Sequence, residues 1–148
     1  MPICGRWLHE DRAAVIARSG HPLVERRGTL TAQHLVDQRW ILARAPELER
    51  RALDDLFLET GLAAPHVSLE TTSAVLMKTM VMQSDFLTFL PRELIYWEER
   101  AGLLAVLKLA APSWHRLVGI TLRTRAGVNP AAQALMDILQ EVGGEFSR

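Results

Sequence analysis

The sequence predicts an α/β domain: a mostly parallel sheet with helices on both faces. Three observations predict it. Strand-like and helix-like segments alternate almost throughout the chain. At 148 residues, nearly half of them apolar, the chain is long enough for one domain with a real core and too short for two full ones. The stretch from Glu70 to Pro91 reads as a complete βαβ unit, with a strand ending, a helix starting on hydroxyl residues and a second strand closing on a proline.

In chain order, Arg12–Arg18 is a short apolar run stopped by Ser19-Gly20-His21-Pro22, the pattern of a buried strand and a turn. Thr31 is placed to cap a short helix through Leu35 and Val36, and Trp40–Ala43 is again strand-like. Pro46 suits the first turn of a helix carrying Leu48, Ala52, Leu53, Leu56 and Phe57 on one face, with Gly61 placed to end it. Val67–Leu69 makes a strand, and Thr71 or Thr72 is expected to cap a helix through Met82. After a strand at Phe86–Leu90, Pro91 opens a helix that ends at Gly102. Leu103–Leu109 and Leu117–Arg123 read as two more strands, broken by Pro112. A last helix starts at Asn129-Pro130 and is expected to end at Gly143-Gly144.

Composition excludes several classes. Lys plus Arg equals Asp plus Glu, whereas a chain that wraps nucleic acid by charge carries a clear positive excess. The doublets Arg26-Arg27 and Arg50-Arg51 are interleaved with acidic residues and read as solvated faces. Cys4 is the only cysteine, so an internal disulfide and a thiolate cluster are impossible, and its position near a fraying end argues against a nucleophile. No signal peptide precedes the charged residues His9–Arg12, and the longest apolar runs are too short to span a bilayer. The expectation is a cytoplasmic protein.

Catalytic and metal signatures are missing too. His9, His21, His34, His66 and His115 show no metal-ligand spacing, and surface or turn positions are the expectation for them. No nucleophile elbow, dinucleotide fingerprint or Walker lysine is present. The pairs Glu98-Glu99 and Asp54-Asp55 are adjacent on helices, so their carboxylates point roughly 100° apart and do not share a site. No catalytic residue, cofactor or metal is expected, and nothing argues for an enzyme.

Two segments are candidates for binding. Thr71, Thr72 and Ser73 stand where a strand ends and a helix begins, so hydroxyls and free backbone N–H groups there can hold a carboxylate, phosphate or sugar hydroxyl. Plain capping explains the same residues. The loop Arg44-Ala45-Pro46-Glu47 follows the Trp40–Ala43 strand, and ligands of open α/β sheets bind outside the carboxyl ends of strands. Arg44 can pair an anion there, or be satisfied by Glu47.

Eight short motifs follow one another along nearly the whole chain: His21-Pro22-Leu23, Trp40-Ile41-Leu42, Arg51–Phe57 with Gly61-Leu62, Glu70-Thr71-Thr72-Ser73, Leu90-Pro91, Gly102-Leu103-Leu104, Arg116–Arg123 and Pro130-Ala131-Ala132. Each is weak alone, but their order and spacing resemble the effector-binding domain of LysR-type transcriptional regulators. Ser84–Thr88 followed by Tyr96–Leu104 is similar to a branch of sugar-responsive and aromatic-catabolism regulators, with Gln83-Ser84-Asp85 in place of the glycine-rich turn common elsewhere.

The resemblance implies a periplasmic-binding-protein-like (type 2) three-layer α/β fold, two lobes with a small effector between them, and oligomerisation through the domain. It implies effector contacts at Ala45, Pro46, Glu47, Thr71, Thr72 and Ser73, beside the candidate Arg44 read from its loop, and leaves a sugar, an aromatic acid or another metabolite as the effector. DNA binding belongs to a winged helix-turn-helix that precedes the domain in the family and is expected to be missing from this chain. What is encoded is expected to be essentially one lobe: residues 1–11 a remnant of the first lobe and hinge, 12–124 the second lobe, and 125–148 a helix of the first lobe.

That helix carries an apolar face of Ala131, Leu135, Ile138, Leu139 and Val142. Exposing the four larger residues forfeits on the order of 1.5–3 kcal/mol each, against a domain stability of about 5–15 kcal/mol. The helix is therefore expected to dock on its own lobe or against another copy, the third alternative being that the isolated chain is only marginally stable. Three other readings stand beside the sensor domain: a free-standing binding module that heterodimerises with a full-length regulator, a small α/β enzyme, and a gene remnant without function.

Overall fold

The computed structural model describes residues 3–110, 114–123 and 127–146. Pro112, expected to separate two strands, and Thr124, expected to end the second lobe, lie outside them. The chain divides into two compact units, Arg12–Trp114 and Met1–Asp11 together with His115–Arg148. The first strand, β1 (Ile3–Arg18), contributes to both.

In the larger unit, β1 is followed by α1 (Pro22–Glu25), β2 (Arg39–Leu42), α2 (Leu48–Glu59), β3 (His66–Glu70) and α3 (Ala74–Met82). Then come β4 (Thr88–Pro91), α4 (Tyr96–Arg100) and β5 (Leu104–Val106). Short 3-10 turns occupy Ala32–Leu35 and Arg92–Ile95. β2 and β3 pair in parallel, and a parallel bridge joins Trp40 to Leu87 at the entrance to β4. β4 and β5 both run antiparallel to β1, which lies between them, so they are parallel to each other. The expected parallel sheet therefore holds for β2–β5, and β1 is the exception. The other strands are linked by helical crossovers that return the chain to the same end of the sheet, and β1 is not reached by one.

Side-chain alternation along the strands makes the three layers. Val15, Ala17, Trp40 and Leu42 point into one core with Leu53 and Phe57 of α2. Ile16 and Ile41, between them in sequence, point into the other core with Met77 and Val81 of α3 and Ile95. Each strand thus buries both faces, as a parallel sheet covered on two sides requires. The Trp40 and Phe57 rings meet edge to face at 6.3 Å between centroids, and those of Phe89 and Trp114 at 4.8 Å.

Three local expectations need correction. Pro46 lies in the turn before α2, not in its first turn: the Glu47 N–H donates to the Arg44 carbonyl (3.1 Å), and the helical ladder begins with the Arg51 N–H on Glu47 (3.1 Å). The Ala45–Pro46 peptide is cis. Ser73, and neither Thr71 nor Thr72, is the N-cap of α3, accepting from the Leu76 N–H at 3.3 Å. His21 is a turn residue as expected, but it is buried: its Nδ1 accepts from the Leu23 N–H (3.1 Å), while Nε2 lies 3.3 Å from the Asp85 carbonyl.

In the smaller unit, β6 (Trp114–Arg123) pairs with β1, and α5 (Pro130–Phe146) follows. The larger unit ends at Trp114, and β6 pairs with β1. Cys4 lies at the start of β1. Asp11 is buried against Arg116 (2.7 Å), and His115 Nδ1 contacts the Glu10 carboxylate.

Gly143 and Gly144 do not end α5 but lie within it. A Cβ on Gly143 would sit 3.1 Å from the Leu8 carbonyl, so glycine here permits a close approach of helix to strand. Met136 and Gly143, one heptad apart, form the buried side. Leu135, Ile138, Leu139 and Val142 remain 38–57% exposed.

Candidate functional site

The two segments singled out in the sequence follow neighbouring parallel strands of the larger unit. Because β2 and β3 run parallel and side by side, their carboxyl ends lie at one edge of the sheet. Arg44–Glu47 leaves the end of β2 and Thr71–Ser73 leaves the end of β3. The Thr71 N–H donates to the Leu42 carbonyl at 3.0 Å, fixing the second segment to the end of β2. Arg44, Ala45, Pro46, Glu47, Thr72 and Ser73 are exposed and Thr71 is half-buried.

The hydroxyls divide their roles. Thr71 Oγ1 accepts from the Ser73 N–H (3.1 Å) and Ser73 Oγ from the Leu76 N–H (3.3 Å), which completes the cap and leaves both O–H groups free to donate. Thr72 is exposed, and its hydroxyl is spent on no hydrogen bond among the described residues. Capping therefore accounts for two of the three residues and leaves Thr72 over. Glu47 contributes its backbone N–H to the Arg44 carbonyl, but no ion pair joins their side chains. Arg44 is an exposed cation two residues past the end of β2.

Arg50 is the residue that sequence reasoning missed. Expected on a solvated face, it is only 14% exposed, with Nε 2.9–3.0 Å from the Asp54 carboxylate and Nη1 3.0 Å from Glu70. Burial works to lower its pKa, but hydrogen bonds and charge from Asp54 and Glu70 outweigh burial and raise it, so the guanidinium stays charged. Glu70 immediately precedes Thr71, so Arg50 ties α2 to the last residue of β3 beside both candidate loops. The Arg50–Asp54 spacing of i, i+4 was the available signal.

The remaining chemistry is structural. Glu98 takes a short bond from Lys78 of α3, and Glu99 is held by Arg92 (2.9 and 3.1 Å), so these adjacent carboxylates do point apart. Asp85, within the unusual Gln83-Ser84-Asp85 segment, accepts from Arg18 Nη2 and Nε (2.6 and 2.9 Å) and anchors β1. Among the described residues no cluster of His, Cys, Asp or Glu could hold a metal ion, and no helix is long and apolar enough to cross a membrane.

A three-layer unit with polar loops gathered at the carboxyl edge of its parallel strands defines an α/β ligand-binding module. Residues 3–144 match the family described as the LysR substrate binding domain, and the chain belongs to that family. It is 33% identical over 140 residues to the HTH-type transcriptional regulator GalR of Pseudomonas putida, covering 95% of this chain and 35% of that protein. The chain thus spans about a third of that relative's length.

Among solved structures it resembles the regulatory domain of CcmR from Synechocystis PCC6803 in complex with 2-PG, with a TM-score of 0.80 and 20% identity over 97% of this chain and 68% of the other. It also resembles the effector-binding domain of QuiR in complex with shikimate, with a TM-score of 0.72 and 19% identity over 97% and 66%. The likeness is one of fold, the type 2 periplasmic-binding-protein-like fold of LysR effector-binding domains.

Proposed function

We propose that this chain is the effector-sensing part of a LysR-type transcriptional regulator, and that Arg44–Glu47 and Thr71–Ser73 form one wall of its effector site. The observation that carries the reading is the junction of the two loops. The Thr71 N–H on Leu42 fixes the hydroxyl segment to the end of β2, two residues before the exposed Arg44, which supports a shared wall with the unspent Thr72 hydroxyl and two further O–H donors. Hydroxyl donors beside a cation suit a small hydroxylated or anionic metabolite, a sugar or an aromatic acid. The CcmR and QuiR structures hold 2-PG and shikimate respectively, which supports a ligand of that size.

In this reading the unit Arg12–Trp114 is the second lobe, and β6 and α5 belong to the first. The exposed leucine-rich side of α5 is then covered by the rest of the first lobe or by a second copy, and the chain acts as a homo-oligomer in the cytoplasm. DNA contact and promoter choice reside in the part of the regulator that this chain does not span. The domain transmits ligand occupancy and carries out no catalysis.

Calorimetric titration with a panel of sugars, sugar acids and aromatic carboxylates tests the reading. Some member is expected to bind, with Thr72→Val weakening it about fivefold, the worth of one neutral hydrogen bond of about 1 kcal/mol. Arg44→Met is expected to weaken only the acids. A panel without a binder, or a binder indifferent to both substitutions, would overturn the proposal.

A further inference from the structure

A second groove lies away from Thr71–Ser73, in the larger unit, between the loop after α1 and the outer strand β5. Its volume is about 850 Å3, within the range of small-molecule sites. Its floor is apolar, from Leu23, Val24 and Val106, and its rim carries Arg26, Arg27 and Lys108.

The charge on that rim is uncompensated. Most described cations are engaged: Arg6, Arg18, Arg50, Lys78, Arg92 and Arg116 in ion pairs, Arg39 and Arg100 on aromatic rings. Arg26, Arg27 and Lys108 make none of these contacts although the chain as a whole is neutral. The one carboxylate on the lining, Glu99, is already held by Arg92 at 2.9 and 3.1 Å. Three cations thus line one groove with Leu23, Val24 and Val106, and among the described residues none of the three is in an ion pair.

We propose that this groove is a second ligand site, taking a small organic anion whose apolar body lies on Leu23, Val24 and Val106 while its carboxylate meets Arg26, Arg27 and Lys108. The apolar contact supplies affinity by removing hydrocarbon from water, and the cations select for charge and orient the ligand. The site is independent of the reading given for Thr71–Ser73, since the two share no residue. Occupancy here would bear on the β1–α1 turn and on β5, and through β5 on β1, to which it is paired from Ile16 to Arg18.

Equilibrium titration of the full chain with octanoate tests it, with octanol and inorganic phosphate as comparison probes. Octanoate is expected to bind at least tenfold more tightly than either. Arg26→Ala, Arg27→Ala and Lys108→Ala are each expected to weaken it about two- to fivefold, as partly exposed ion pairs do, and together more than tenfold. Raising the salt from about 0.05 to 0.5 M should weaken it further, and Thr72→Val should leave it unchanged. Equal binding of octanol, equal binding of phosphate, no binding, or a loss with Thr72→Val but not with the triple alanine variant would each overturn the proposal. All three positions are exposed, so folding of the variants is not at issue, and circular dichroism of each checks it.

Discussion

Replacing Arg50 by methionine keeps the length and much of the apolar stem of the side chain while removing its charge and its bonds to two carboxylates. The bond to Glu70 (3.0 Å) bridges α2 to the end of β3, while those to Asp54 (2.9–3.0 Å) lie within α2. Hydrogen bonds to charged groups contribute about 1.5–3 kcal/mol when sheltered, and exposed ion pairs about 0.2–1 kcal/mol. Arg50 is sheltered at 14% exposure, but the side chains of Asp54 and Glu70 stand 39% and 43% exposed and can rehydrate once it is gone. The loss therefore falls between the two limits, at about 1–2.5 kcal/mol. For a chain of this size that lowers the midpoint of thermal unfolding by roughly 3–8 °C.

Urea and thermal denaturation followed by circular dichroism measure the loss. A double-mutant cycle with Glu70→Gln isolates the bond between the two elements, with an expected coupling of about 0.5–1.5 kcal/mol. An Arg50→Met variant as stable as the parent, or a cycle with no coupling, would refute the view that Arg50 holds the two loops in place.

Other predictions follow from single sites. Burial lowers the pKa of His21, opposed by its bond to the Asp85 carbonyl and by the Asp85 charge, with Arg18 adding to the lowering, so the folded state favours the neutral ring. The unfolded ring takes its proton near pH 6.5, and stability should be full above that value and fall as pH drops through it. Asparagine at position 21 can still accept from the Leu23 N–H and should flatten that slope in pH-dependent urea titrations. The Lys78 hydrogen bond lowers the pKa of Glu98, with burial opposing it, so this contribution is present above the carboxylate range and lost as pH falls through about 4.3. Glu98→Gln should remove that acid limb. Gly144→Ala meets nothing within 4 Å and should stabilise α5 by about 0.5–1 kcal/mol. Gly143→Ala should fall well short of that gain or reverse it, because its Cβ would press on the Leu8 backbone; denaturant midpoints of the two variants distinguish the cases.

Much of the architecture was legible because it is written in periodicity. The 3.6-residue spacing of Leu53, Leu56 and Phe57 placed α2, and the apolar runs Trp40–Leu42 and Phe86–Leu90 marked strands buried on both faces. The carboxyl-edge rule placed Arg44–Glu47 and Thr71–Ser73 after neighbouring strands, and β2 and β3 do pair in parallel. What escaped depends on geometry that spacing does not encode. Which of three consecutive hydroxyl residues becomes the cap turns on where the backbone enters the helix, and that residue is Ser73. The glycine pair in α5 looked like a stop because helices commonly end on glycine, whereas Gly143 answers to a strand far away in sequence.

Arg50 was misjudged for a related reason. Its neighbour Arg51 is exposed, and a doublet viewed in sequence hides that adjacent helical residues face different surroundings. The exposed side of α5 is the reverse case. Its apolar spacing was read correctly, but within the described residues that helix buries Met136 and Gly143 instead.

The account's central claim is tested most directly by two-dimensional NMR of the chain during titration with whichever sugar or aromatic acid binds. The account predicts that amide shifts concentrate on Arg44, Ala45, Glu47 and Thr71–Ser73, with the Thr71 N–H among the most affected, and that Thr72→Val needs about fivefold more ligand to reach them while the spectrum of the free protein stays in place. Shifts confined to other parts of the unit Arg12–Trp114, or an unchanged response in Thr72→Val, would contradict it.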